Sequence, residues 1–222
     1  DIPAGQTLAL VGSTGSGKTS IISILNRLYE IQKGSIEIDG VSIRDYELHA
    51  LRSRMAVVLQ DVFLFSGTVL ENITLRNDHV TREQVVEAAK LIGAHRFIEK
   101  LPGGYDYQVM ERGATLSMGQ RQLISFVRAL VFDPDILILD EATSSIDPET
   151  EGVIQYAIEQ LIARRTSIII AHRLSTIRHA DKILVLEKGE VKEFGSHEEL
   201  LQIEEGRYRE LYEMQFLQVG VA

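Results

Sequence analysis

Short runs of aliphatic and β-branched residues alternate along this chain with longer stretches whose apolar positions recur every three or four residues. The runs are TLALVG (7–12), SIEIDG (35–40), MAVVLQ (55–60), ILILDE (136–141), SIIIAH (167–172) and KILVLE (182–187), followed by EVKEF (190–194). Several are apolar without alternation, the pattern of parallel strands covered on both faces. The helical period predicts helices over about 18–30, 81–92, 117–132, 149–163 and 197–215; in the first, Ile21, Ile24, Leu25 and Leu28 make one apolar stripe. The middle third, about 61–132, reads as helical and has no convincing strand after VVLQ. The pattern therefore predicts an α/β core, about 1–60 and 133–222, interrupted by a helical lobe over about 61–132.

The loop after the first run has a specific chemistry. Gly12-Ser13-Thr14-Gly15-Ser16-Gly17-Lys18-Thr19 fits G-x-x-x-x-G-K-[ST] between a predicted strand and a predicted helix. Glycines open backbone conformations closed to other residues and expose successive N–H groups to an anion. The following helix, which takes in Ser20, adds unsatisfied N-terminal donors and the positive end of its dipole. Lys18 would reach the β- and γ-phosphates of a nucleoside triphosphate, and Thr19 would offer its hydroxyl to Mg²⁺. The competing reading is a tight strand–helix turn with a surface lysine.

A second acidic strand end, ILILDEA, runs an apolar strand into Asp140 and Glu141. Carboxylates at the C-terminal edge of a sheet lie where α/β proteins bind ligands. Asp140 is placed to hold Mg²⁺, a hard ion that takes oxygen ligands. Glu141 points to the other side of the strand and could accept a proton from attacking water. Alone, the pair would read as two solvated acids capping a strand.

Composition narrows the classes. The 222 residues have 45% hydrophobic and 25% charged residues, ordinary for a globular protein. A formal net charge of −9 argues against a nucleic-acid surface, while leaving room for one phosphate pocket. With no cysteine, disulfides and thiolate metal sites are excluded. No apolar stretch approaches the roughly 18 residues of a membrane span. The start, DIPAGQ, lies almost on top of a strand, as expected of a piece cut from something longer.

The stretch LSMGQRQLISFVRAL (116–130), followed by VFDPDILILDEATSSID, resembles the nucleotide-binding domain of an ATP-binding cassette (ABC) protein. VVLQD contributes a loop glutamine, Gln60, SSID a loop aspartate, Asp147, and IIIAHRLSTI a switch histidine, His172, all in the family's order. The resemblance covers essentially the whole chain. It implies a single domain over 1–222 with a P-loop NTPase (RecA-like) core of mainly parallel sheet, a small antiparallel β region and an inserted helical subdomain. It further implies ATP and Mg²⁺, with Thr19, Gln60 and Asp140 at the metal and Lys18, Gln60, Glu141 and His172 in catalysis. In the family two cassettes pack head to tail. Ser117, Met118, Gly119, Gln120 and Asp147 would then face the ATP of a second copy or of a related partner. Ser117 and the start of the 117–132 helix make a second anion-binding end, which agrees with that arrangement.

FLFSGTVLENI (63–73) and ERG (111–113) look like the exporter branch, in which the cassette is fused behind a membrane domain at the cytoplasmic face. That domain would dock through about 61–73, with Phe63 and Phe65 as contact residues or, equally, as packing of the helical lobe. Relatives carry an aromatic that stacks on adenine further upstream of the loop than the eleven residues preceding Gly12 here. The signature departs from the family at Met118, where glycine is usual. If that glycine's dihedral is needed, Met118 weakens the site it completes and suits a heterodimer; otherwise a homodimer tolerates it. Two rival functions are a soluble cassette ATPase acting on nucleic acid or ribosomes and a regulatory module that binds nucleotide without hydrolysis. The first is expected to show a coiled-coil insertion or second cassette, and the second to lack Glu141 or His172; neither departure is seen.

Overall fold

The computed structural model describes residues 1–140, 148–163, 165–171 and 174–214. The chain opens with β1 (Thr7–Val11), turns through the glycine-rich loop into α1 (Lys18–Leu25), and makes a two-residue ladder of β2 (Glu37–Ile38) with β3 (Val41–Ser42). Helix α2 (Leu48–Ser53) leads into β4 (Met55–Val58). Next, β5 (Gly67–Thr68) is followed by α3 (Val69–Thr74), α4 (Arg82–Leu91) and α5 (His95–Lys100) before β6 (Gln108–Val109) pairs back to it. Helix α6 (Met118–Val131) returns the chain to β7 (Ile136–Asp140). The remainder is α7 (Pro148–Ile162), β8 (Thr166–Ile170), α8 (Leu174–Arg178), the hairpin β9 (Lys182–Glu187) and β10 (Glu190–Gly195), then α9 (His197–Leu201) and α10 (Arg207–Tyr212).

Six strands form one sheet in the order β10-β9-β1-β8-β7-β4, parallel throughout except for the β9–β10 hairpin. Its two faces explain why the strand sequences do not alternate. Ala9, Val11, Leu137, Leu139 and Ile169 pack on one side with Phe126 of α6 and Ile154 of α7. Leu8, Leu10, Ile138, Ile168 and Ile170 pack on the other with Ile22 of α1 and Leu51. The first cluster continues without a break into the helical stretch through Ile73, Val85, Ile92 and Ile98. Among the described residues no helix is long and apolar enough to cross a membrane.

Four expectations need correction. Helix α1 stops at Leu25 and not near 30, because the Asn26 side chain donates to Ile22 O at 2.9 Å and Arg27 takes a positive φ of 48°. SIEIDG contributes only the two residues of β2, outside the main sheet. The stretch after VVLQ does contain strand, the short β5–β6 ladder. The helix expected over 197–215 is two helices, α9 and α10. No side chain caps α10 from its own N-cap, Gly206; the Glu193 carboxylate on β10 instead accepts from Arg207 N–H and, at 2.9 Å, from Tyr208 N–H.

Ile154 lies fully buried where α7 meets the shared cluster. Ile154→Ala is expected to lower the unfolding free energy by about 2–5 kcal/mol in urea denaturation, and a loss under about 1 kcal/mol would contradict this packing.

Candidate functional site

The parallel strands bring the predicted residues to one edge of the sheet. Leu10 and Asp140 are both register partners of Ile170, so they stand level on strands two spacings apart, about 10 Å. Val58 pairs with Leu139, which puts Gln60 just past the end of β4 at the same edge. Ala171 N–H donates to Leu10 O at 3.2 Å, extending β8 to this level as well. Glu141, Asp147 and His172 lie outside the described residues.

The Gly12–Thr19 loop joins a fully buried strand, β1, to a helix whose N-cap, Gly17, offers no side-chain hydrogen bond. The first N–H groups of α1 are therefore not claimed by a capping side chain. Gly12 sits against β9: a Cβ there would lie 2.2 Å from Leu186 O and 2.8 Å from Ser16 Oγ, with φ at 156°. No residue but glycine fits. Ser16 N–H donates to Ser13 O at 3.1 Å, which curls the loop into a turn. The Lys18 side chain folds over it, its ammonium donating to Gly12 O at 2.8 Å and Ser13 O at 3.0 Å.

Lys18 is 8% exposed. Burial pushes its pKa below the ordinary lysine range, and the charge of Asp140 partly opposes that shift. The same influence places Asp140 within electrostatic reach of the lysine. A buried cation held by two loop carbonyls and, at 3.5 Å, by the Ser16 hydroxyl, beside a backbone cradle that a single Cβ would fill, fits an incoming phosphate.

For a divalent cation, the donor set is also suitable. The Thr19 hydroxyl, the Gln60 carboxamide and the Asp140 carboxylate are the oxygen ligands a hard ion takes. Thr19 and Gln60 are exposed and Asp140 is partly buried. Thr19 and Ser20 also line an open pocket of about 510 Å³ with Tyr29 and Lys33.

At the other predicted anion site, Ser117 caps α6. Its Oγ accepts from Gln120 N–H at 3.2 Å and the Gln120 carboxamide accepts from Ser117 N–H at 3.0 Å, a capping box that the S-x-x-Q spacing contained. Ser117 is exposed at the helix start, and Gly119 is buried behind it. Met118 is the first residue of α6 and is not among the positive-φ residues, so the position places no glycine-only demand on the backbone. Gln60, Met118, Asp61, Arg112 and Arg121 enclose a pocket of about 140 Å³, bringing the loop glutamine and the signature together.

The two exporter-like stretches also meet. Arg112 N–H donates to Leu64 O at 3.0 Å, joining ERG to FLF. Within FLF, Leu64 is fully buried while Phe63 and Phe65 are 47% and 56% exposed, their rings edge-to-face at 5.0 Å. Two residues that the pattern did not single out hold this segment. Buried Asn72 accepts from Phe65 N–H at 2.8 Å and donates to Phe65 O at 2.9 Å and Thr68 O at 3.0 Å. Arg128 of α6 donates to Asn72 O at 2.9 Å and Phe63 O at 3.4 Å. The available signal was an asparagine next to the apolar positions Val69 and Ile73 of a short helix.

The chain is similar to known proteins in both sequence and fold. Residues 1–144 match the family described as ABC transporter. The chain is 55% identical over 211 residues to the probable multidrug resistance ABC transporter ATP-binding/permease protein YheH of Bacillus subtilis, covering 95% of this chain and 31% of that protein. It is 50% identical over 216 residues to the ATP-dependent lipid A-core flippase of Haemophilus influenzae, covering 97% of this chain and 37% of the flippase. A solved bacterial Atm1-family ABC exporter with ATP bound superposes with a TM-score of 0.88 at 42% identity, over 97% of this chain and 38% of the exporter. The chain thus spans about a third of the length of these relatives.

If a nucleoside triphosphate binds this loop through the Lys18 ammonium, its affinity should fall as pH rises through the lowered Lys18 pKa, before ordinary lysines titrate. Equilibrium binding across alkaline pH checks this. Lys18→Arg should lack that limb, and an identical limb in both proteins would contradict the assignment.

Proposed function

The chain belongs to the ABC transporter family, and from that premise we propose that it is the ATP-binding and ATP-hydrolysing domain that drives an exporter. The observation that carries this reading is the glycine cradle of Gly12–Thr19, closed by a buried lysine at the sheet edge where Asp140 also ends. ATP places its β- and γ-phosphates against the loop N–H groups, between Ser13 and Ser20, and draws Lys18 off the Gly12 and Ser13 carbonyls. Thr19, Gln60 and Asp140 would hold Mg²⁺, which would supply positive charge against the phosphate oxygens.

Hydrolysis here is chiefly positioning and charge stabilisation. Water attacks the γ-phosphorus in line, Glu141 takes its proton, and the bond to the β-phosphate oxygen breaks to give ADP and inorganic phosphate. Gln60 and His172 hold the γ-phosphate and the water.

The domain is divided into a core, about 1–60 and 133–222, and a helical subdomain, about 61–132. A second cassette completes each ATP site from the helical subdomain with Ser117, Met118, Gly119, Gln120 and Asp147. The α6 N-terminus brings the positive end of a 14-residue helix to the γ-phosphate. The ordinary backbone at Met118 favours a pair of identical copies. A membrane domain docks through about 61–73, where an exposed aromatic pair on a pinned loop supports an interface. The domain works at the cytoplasmic face, and the multidrug and lipid A names of its relatives support a drug or lipid as cargo.

In the full-length protein, Glu141→Gln should lower kcat for ATP hydrolysis by about a hundredfold or more while ATP affinity is retained. Steady-state turnover together with equilibrium binding tests this; wild-type turnover in the variant would remove Glu141 from the mechanism.

A further inference from the structure

The phosphate loop has a support outside its own sequence. At the tip of the β9–β10 hairpin, Glu187 pairs with Glu190 across Lys188 and Gly189, whose φ angles are 51° and 81°. Two consecutive positive φ values are what a two-residue hairpin turn of type I′ requires. The turn's Gly189 N–H donates to Ser16 O at 2.9 Å. Just before the turn, Leu186 O lies under Gly12, and the Leu186 side chain reaches within 3.2 Å of where a Cβ on Gly17 would be. Of the other loop bonds, those from Lys18 and from Ser16 N–H are internal to the loop, while Gly17 O accepts from Ile21 N–H and Thr19 O from Ser23 Oγ in the helix that follows.

Ser16 C=O and Gly17 N–H belong to one peptide plane. There are no cis peptides among the described residues, and in a trans peptide these two groups point in opposite directions. Pinning the Ser16 carbonyl toward the hairpin therefore aims the Gly17 N–H away from it. Gly17 is the N-cap of α1, next to Lys18, and its N–H is one of the donors a phosphate would meet. The tether uses none of the groups that a phosphate would engage, whereas the Lys18 contacts to Gly12 O and Ser13 O are those a phosphate would take over.

We propose that the 187–190 turn is part of the phosphate-binding machinery, with Gly189 a positioning residue that orients the Ser16–Gly17 peptide toward the nucleotide. This rests on the reading of residues 12–19 as the ATP phosphate cradle. No atom of the described residues lies within 4 Å of a Cβ built on Gly189, so a substitution there acts through the turn's backbone and not through a clash with them. Alanine resists the positive φ, while asparagine tolerates it.

The test is equilibrium binding of ATP and ADP to the full-length protein, with thermal midpoints measured without nucleotide. Gly189→Ala should weaken both nucleotides about tenfold, the worth of one misdirected charge-assisted hydrogen bond, and Gly189→Asn should restore most of that affinity. Undiminished affinity in Gly189→Ala, with or without a lowered midpoint, would make the turn merely structural and overturn the proposal. Equal weakening by alanine and asparagine would overturn it too, since the effect would not follow backbone conformation. Wild-type protein that binds neither nucleotide would instead defeat the ATP reading on which the proposal rests.

Discussion

A phosphate held by backbone needs N–H groups fixed in direction before it arrives, and the proposed phosphate loop meets that requirement through the strand it leaves. The loop that supplies them leaves β1, every residue of which is buried and which is flanked in the sheet by β8 and β9. Its C-terminal end is therefore held by hydrogen bonds on both sides. Gly12 has no room for a side chain, because a Cβ there would lie 2.2 Å from Leu186 O of β9. The buried ammonium of Lys18 is tolerable only while oxygen atoms surround it, here those of the loop itself and, in the proposed complex, those of a phosphate.

Helix α6 joins the second predicted anion site to the exporter-like segment. It is about 21 Å long, with Ser117 and its capping box at one end and Arg128 near the other. Arg128 is bonded to Asn72 O and Phe63 O, so the signature end and the exposed aromatic pair share one rigid element. Burial lowers the Arg128 pKa, a cost offset by those carbonyl partners. A rotation of the helical part about the sheet would carry both ends together. In the proposed cycle, closure around ATP and movement of the membrane-facing surface are then one motion.

Much of this was legible in the chain. Unbroken apolar runs announced parallel strands, because Leu8 and Leu10 pack on one face while Ala9 and Val11 pack on the other. The loop motif and Asp140 were readable because each follows such a run, and the register then sets them level. What was missed depends on contacts across the sequence. Nothing local to 197–215 announces that Glu193 will cap a second helix there. Likewise, the link from Gly189 to Ser16 spans most of the chain, and a turn of the same sequence elsewhere would have no bearing on phosphate. The end of α1 was missed for a nearer reason: Asn26 turns its side chain onto Ile22 O, a local competition that apolar periodicity does not register.

The measurement that bears most directly on this account is release of inorganic phosphate from Mg·ATP by the purified full-length protein, compared with its Lys18→Ala variant at matched expression and folding. The account predicts steady turnover by the wild type and near-complete loss in the variant. Equal phosphate release by the two proteins would place the chemistry somewhere other than the Gly12–Thr19 cradle.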